Sequence, residues 1–180
     1  ADFGSAQARK RMFLVCDRKG TSVAKETLLK LVTGKRLSAK DIIDWDAAYA
    51  TTPLEQPSRA KPTLERAQRA IAELGRKKPF IIVYYGSDYA GGWQTLDAPL
   101  RTVTTVDRFA LVTWEKDVPY MRMLQPNELS KAMGGGTDHK LPHGTRREKV
   151  KLCGNGVCSD VMTAIFKWIG SNQTKRPRMA

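Results

Sequence analysis

Apolar positions along this 180-residue chain fall into short blocks separated by glycine, proline and charge, and the spacing inside each block predicts its element. Met12-Phe13-Leu14-Val15-Cys16 closes a run over residues 10–16 that reads as a strand. Leu28, Leu29 and Val32 supply the stripe of a helix at about 24–33, with Gly34 as its stop. Residues 46–62 hold Pro53, Pro57 and Pro62 and read as a loop. From Pro62 to Leu74, the positions Leu64, Ala67, Ile71 and Leu74 recur at helical spacing, and Gly75 follows as the exit. Arg66, Arg69 and Arg76 fall on its other faces, as solvated charge or as phosphate contacts.

Beyond Pro79 the period changes. The run 80–85 predicts a strand, followed by a glycine-rich loop over 86–93 that carries Tyr89 and Trp93. Residues 100–105 and 108–114 predict two strands around Val106-Asp107, and 120–124 a further short one. Gln125-Pro126-Asn127-Glu128 is a helix start, with proline at the first position, glutamate at the third and Leu124 poised to staple Leu129. That helix should end near Met133, before Gly134-Gly135-Gly136. A Gly154-Asn155-Gly156 turn then precedes an amphipathic segment with Val157, Val161, Ala164, Ile165 and Trp168 inward and Gly170 at its end. Such a turn either offers free N–H groups and a positive dipole end to an anion, or simply opens a core helix.

Charge narrows the partners. The chain carries 31 Lys+Arg against 18 Asp+Glu, a net of +13, and the first 40 residues hold ten of the bases against three acids. That excess suits a polyanion such as nucleic acid, or else a solvated basic surface. Lys175, Arg176 and Arg178 leave the tail cationic. Cys16, Cys153 and Cys158 are an odd set with no leader before them, which points to reduced thiols in the cytoplasm. All three read as buried structural thiols. No Cys/His cluster has zinc spacing, so no metal is expected, and no apolar run reaches membrane length.

Arg9 and Arg11 stand at i and i+2 entering the first apolar run, a two-pronged cationic reader on one strand face. Taken in order, Gln7-x-Arg9-x-Arg11, Pro99-Leu100-Arg101-Thr102-Val103-Thr104-Thr105, Arg122 to Glu128 with Met133-Gly134, and Gly154-Asn155 with its helix resemble the DNA (cytosine-5) methyltransferases. The resemblance extends from Ala1 to about Ile169. It implies that Arg9 and Arg11 lie beside the catalytic centre, one of them on the flipped cytosine. It implies that the region up to Pro99 reads bases, that Thr102-Val103 holds the DNA backbone, and that Arg122 to Glu128 organises the recognition domain. The Gly154-Asn155 turn then completes the S-adenosylmethionine pocket, with Asn155, Gly156 and Val157 as cofactor contacts. The DNA contacts expected are Arg101, Thr102 and Thr104, joined by Tyr89 and Trp93 from the loop.

The Pro-Cys nucleophile, the Glu-Asn-Val glutamate and the glycine-rich cofactor loop of that family do not occur in this sequence. The expected fold is therefore α+β. It comprises a small β-rich target-recognition domain with flanking helices, plus one strand and one C-terminal helix of an incomplete, Rossmann-like S-adenosylmethionine-dependent methyltransferase domain. Residues 1–16 would close the catalytic domain and 17–136 form the recognition part. Residues 137–170 would return to the cofactor pocket, leaving 171–180 as a basic tail. The resemblance makes the chain a C-terminal portion or subunit of a methyltransferase of DNA methylation and restriction–modification. It would bind double-stranded DNA, pair with a separate N-terminal methyltransferase chain, and be inactive alone. The alternative is a catalytically inactive, sequence-specific DNA-binding module.

Overall fold

The computed structural model describes residues 1–16, 23–32, 35–85, 92–136 and 139–173. Its elements in chain order are α1 (Lys25–Leu29), a 3-10 turn (Ala39–Asp41), β1 (Thr52–Pro53), α2 (Lys61–Leu74), β2 (Phe80–Val83) and β3 (Trp93–Thr95). They continue with β4 (Phe109–Glu115), β5 (Val118–Met123), α3 (Pro126–Ala132), α4 (Arg146–Asn155) and α5 (Ser159–Gln173). The mixture is α+β. One five-stranded sheet, in the order β1-β5-β4-β2-β3, is antiparallel throughout.

Why β2 reads as an unbroken apolar run is clear from its position. Central in the sheet, it is covered on both faces, and all four of its residues are buried. Phe80 and Ile82 point to a cluster with Ala67 and Ala70 of α2, Val112 and Met121. Ile81 and Val83 point the other way, into a larger cluster with Leu100, Val103, Leu124, Leu129 and Val150. Each such side chain contributes about 1.5–3 kcal/mol on burial. The α2 face turns slightly from expectation. Thr63, Ala67 and Ala70 are its buried positions, while Leu64, Ile71 and Leu74 pack at the rim.

Several expected elements differ. Residues 10–16 form no strand: a β-prone run becomes one only when paired with an edge, and these residues pair with neither edge of the sheet. Met12 is 92% exposed and Leu14 83%. Among the described residues the pairing next to this run is an isolated parallel bridge between Gln7 and Leu100. Residues 100–105 are irregular too, since glutamine side chains replace the ladder: Arg101 N–H donates to Gln94 Oε1 (3.0 Å) and Val103 N–H to Gln7 Oε1 (3.2 Å). Cys16 is exposed, not buried; Cys153 is buried, which raises its thiol pKa, and Cys158 is half-buried. Gly34, Tyr89 and the 174–180 portion of the basic tail lie outside the described residues.

Helix α3 follows its capping signal, with Glu128 accepting from Gln125 N–H at 2.6 Å. Helix α4 was not expected, because its inward stripe is only Val150, Cys153 and Gly154. Its start was nevertheless written in Thr145-x-x-Glu148, where the glutamate accepts from Thr145 N–H at 2.7 Å and from its hydroxyl at 2.9 Å. Those two bonds hold the Glu148 carboxyl below its ordinary pKa. A depressed value means the cap is fully stabilising above the ordinary glutamate range and is lost as pH falls through the lowered one. The far-ultraviolet helix signal should therefore decline on acidification below that range, and Glu148→Gln should remove part of the decline.

Candidate functional site

Helix α4 ends on glycine, and its end sets up the site. The last carbonyls of a helix lack intrahelical partners. Gly156 N–H returns to Leu152 and Cys153 carbonyls, and those of Gly154 and Gly156 accept from side chains of another segment. Arg9 donates to the first from Nη1 at 2.8 Å, and Arg11 donates to the second from Nη2 at 3.0 Å. Two guanidinium groups thus cap the negative end of a helix dipole. Of the two readings of the Gly154-Asn155-Gly156 segment, the anion-binding one is not met: the segment offers carbonyls to the arginines, and α5 begins three residues later, at Ser159, whose N–H is taken by Met133 O. Burial first, and then the neighbouring Arg11 charge, lowers the Arg9 pKa from its ordinary value.

A second set of bonds fixes the chain that carries these arginines. Ala8 N–H donates to Leu100 O at 2.7 Å and Leu100 N–H to Ala6 O at 2.6 Å. The Thr102 hydroxyl donates to Ala8 O (2.8 Å), while its carbonyl accepts from the Tyr85 hydroxyl (2.8 Å). Gln7 is buried between the two segments, its Oε1 on Val103 N–H and its Nε2 on the Met133 sulfur. Replacing Gln7 with leucine keeps the volume but strands the Val103 N–H in the core. A loss of about 1–3 kcal/mol is expected in urea unfolding.

Close approach does the rest. Gly154 packs on the main chain of Thr104 and Thr105 so tightly that a Cβ would collide with backbone atoms. The structure thus brings Arg9, Arg11, Thr102, Thr104 and the segment Asn155-Gly156-Val157 into one locality. Arg101 and Trp93 are joined elsewhere, at the β3 end, where Arg101 Nη2 donates to Trp93 O at 3.2 Å. The hydroxyl protons of Thr102 and Thr104 are both spent inside the protein, the latter on Val106 O at 2.8 Å.

One supporting residue escaped the sequence reading. Arg146 binds Asp107 through two nitrogens (3.1 and 3.0 Å), Gln125 Oε1 at 2.7 Å and Leu124 O at 2.7 Å. It ties α4 to the loop before β4 and to the start of α3. Its signal was an arginine in the first turn of a helix, against the dipole, which needs a tertiary acid to explain it. The segment Arg122 to Glu128 is expected from the resemblance to organise the recognition domain, and its two ends form an ion pair. It is bidentate, at 2.8 and 2.7 Å, and the guanidinium also lies over the Tyr49 ring at 4.8 Å.

Among the described residues no group of three or more His, Cys, Asp or Glu is arranged to hold a metal, and no helix is long and apolar enough to cross a membrane. An arginine pair steered by main chain in a basic α+β protein fits an enzyme acting on nucleic acid, and comparison with family models places the chain among those that methylate DNA. The matching family is C-5 cytosine-specific DNA methylase, over residues 1–171, and the chain belongs to it. No curated protein and no solved structure matches. Enzymes of this family act on DNA and generally use S-adenosylmethionine.

Proposed function

We propose that this chain is the target-recognition and closing portion of a DNA (cytosine-5) methyltransferase, in which Arg9 and Arg11 face the extruded cytosine. The observation that carries this is the interlock of three segments far apart in sequence: 6–11, 99–104 and 154–156. The 99–104 segment is thereby held to the backbone and Gln7 side chain of the segment that carries the two arginines, and the arginines themselves hold the 154–156 segment. In this reading 1–16 and 137–170 belong to the catalytic domain, with its Rossmann-like remainder elsewhere, and 17–136 to the recognition domain. The Pro-Cys thiolate and the Glu-Asn-Val glutamate, absent from these 180 residues, come from a separate N-terminal methyltransferase chain or segment.

The residues at the end of α4 fit S-adenosylmethionine. Asn155 is exposed, Val157 is an apolar side chain left 44% exposed, and Gly156 lets the chain between them pack close to the Cys153 carbonyl and Met133. Bound there, the cofactor supplies the methyl group. The chain's own contribution is to hold it by Asn155, Gly156 and Val157 and to keep Arg9 and Arg11 beside the base. Arg101 and Trp93, with Thr102 and Thr104, are the proposed DNA-contacting set, joined by Tyr89, which lies outside the described residues. A cytoplasmic setting with reduced thiols suits this work.

Mixing the purified chain with a polypeptide bearing the cofactor loop and the Pro-Cys half tests the reading. Methyl transfer to DNA from the mixture, and from neither part alone, is the expected result. Duplex binding without any rescue would instead establish the catalytically inactive binding module, and transfer by the chain alone would overturn the division of labour.

A further inference from the structure

Helix α4 carries more positive charge than its internal acids match: Glu148 is its acid, and it also interacts with Lys151. Arg146, in the first turn, is matched by Asp107. Arg147, beside it, is exposed and also opposes the helix dipole. One turn on, at i+4, stands Lys151, again exposed, so the two like charges repel along the helix surface. The helix's acid, Glu148, is committed to the Thr145 cap. A solvated helix face ordinarily alternates its charges; this one works against its own helix, and local rules broken in this way mark surfaces made for something outside the fold.

Position gives the surface a direction. Arg147, Lys151 and Gly154 stand at i, i+4 and i+7, on one side of the helix, with Arg147 and Gly154 about 10 Å apart along the axis. At Gly154 the carbonyl end of the helix is neutralised by Arg9, and Arg11 follows at Gly156. Exposed positive charge therefore runs from the first turn of α4 to the arginine pair, with Glu148, held by the Thr145 cap and also facing Lys151, as the acid of this helix.

We propose that this side of α4 is a phosphate-tracking ridge for duplex DNA, in which Arg147 and Lys151 hold backbone phosphates flanking the base presented to Arg9 and Arg11. The inference rests on the DNA-methyltransferase reading above and extends it to a surface outside the recognition segments. Lysine and arginine contacts of this kind grip without reading sequence, and each contributes close to one unit to the salt dependence of binding.

The test is binding of the full chain to a duplex of arbitrary sequence across a salt series, with Arg147→Gln/Lys151→Gln compared against Lys78→Gln/Lys116→Gln. The comparison pair is equally exposed and removes the same charge. It lies where β2 begins and β4 turns into β5, at the opposite end of the sheet from Asp107. For the ridge variant the slope of log K against log salt should become shallower by about 1.8. Its thermal midpoint should stay unchanged or rise, since a repulsive pair is gone. For the comparison pair the slope should hardly move. Equal slopes for the two variants would overturn the ridge while leaving DNA binding intact. A wild-type chain that fails to bind DNA would instead remove the reading beneath it, and preference for duplex RNA over DNA would reassign the ridge's partner.

Discussion

Replacing Glu128 with alanine is expected to cost about 3–5 kcal/mol, the range for breaking one side of a buried ion pair. Its side chain is wholly buried, and Arg122 is 8% exposed. The carboxylate accepts from both Arg122 nitrogens, from Gln125 N–H at 2.6 Å and from Asp44 N–H at 3.0 Å. Alanine leaves a buried guanidinium uncompensated and two main-chain donors unmatched at once. Domains of this size rest on about 5–15 kcal/mol in total, so the variant should sit near the edge of folding. Equilibrium urea titration measures the loss. Glu128→Gln separates charge from shape: it fills the space, yet one of its terminal atoms donates where an acceptor is required. A glutamine variant within 1 kcal/mol of wild type would mean the site is held by packing and that the charge pair is dispensable.

Gly154→Ala should be the next most damaging change, at about 3 kcal/mol. The added Cβ meets the Thr104 carbonyl and the Thr105 nitrogen, which are backbone atoms and cannot rotate away. Relief requires α4 to lift from the 104–105 segment, and that also draws the Gly154 carbonyl away from Arg9. Gly170→Ala is the matched control. It lies within α5, and its Cβ would have nothing within 4 Å, so a gain of up to about 1 kcal/mol is expected from helix propensity alone. Differential scanning calorimetry of the pair should shift the two midpoints in opposite directions. Equal and small shifts would show that α4 approaches the loop less closely than described.

Much of this architecture was legible from residues alone, and what was missed shares a cause. The α2 helix, the β2 run and the α3 start each carry a local signal strong enough to stand by itself: a period of 3.6, unbroken β propensity, and a proline–glutamate cap. Strand β3 carries none, being three residues of an edge held by its pairing with β2. Residues 10–16 failed in the opposite sense. Their propensity is high, but a strand exists only against a partner, and propensity says nothing of whether one is near. Of the site, the arginine pair and the glycine turn were both visible, yet their relation was inverted. The turn reads either as N–H groups awaiting an anion or as the opening of a core helix, whereas α4, with its thin apolar stripe, ends there and gives its last carbonyls to the arginines. That the arginines and those carbonyls find each other is a long-range fact, linking positions 9 and 154, and no local pattern encodes it.

The capping of α4 by Arg9 and Arg11 has a thermodynamic consequence. Both guanidinium groups already have acceptors, so any new acceptor that draws a nitrogen from Gly154 or Gly156 gains only the difference between two bonds. A cation at a helix C-terminus is worth about 0.3–1 kcal/mol in exposed positions. In the proposed function, where these arginines receive the base, affinity for it would be reduced by that much, and by linkage the end of α4 would loosen to the same extent whenever the base is held. The tightness of the helix end and the grip on the base are thus two readings of one exchange equilibrium.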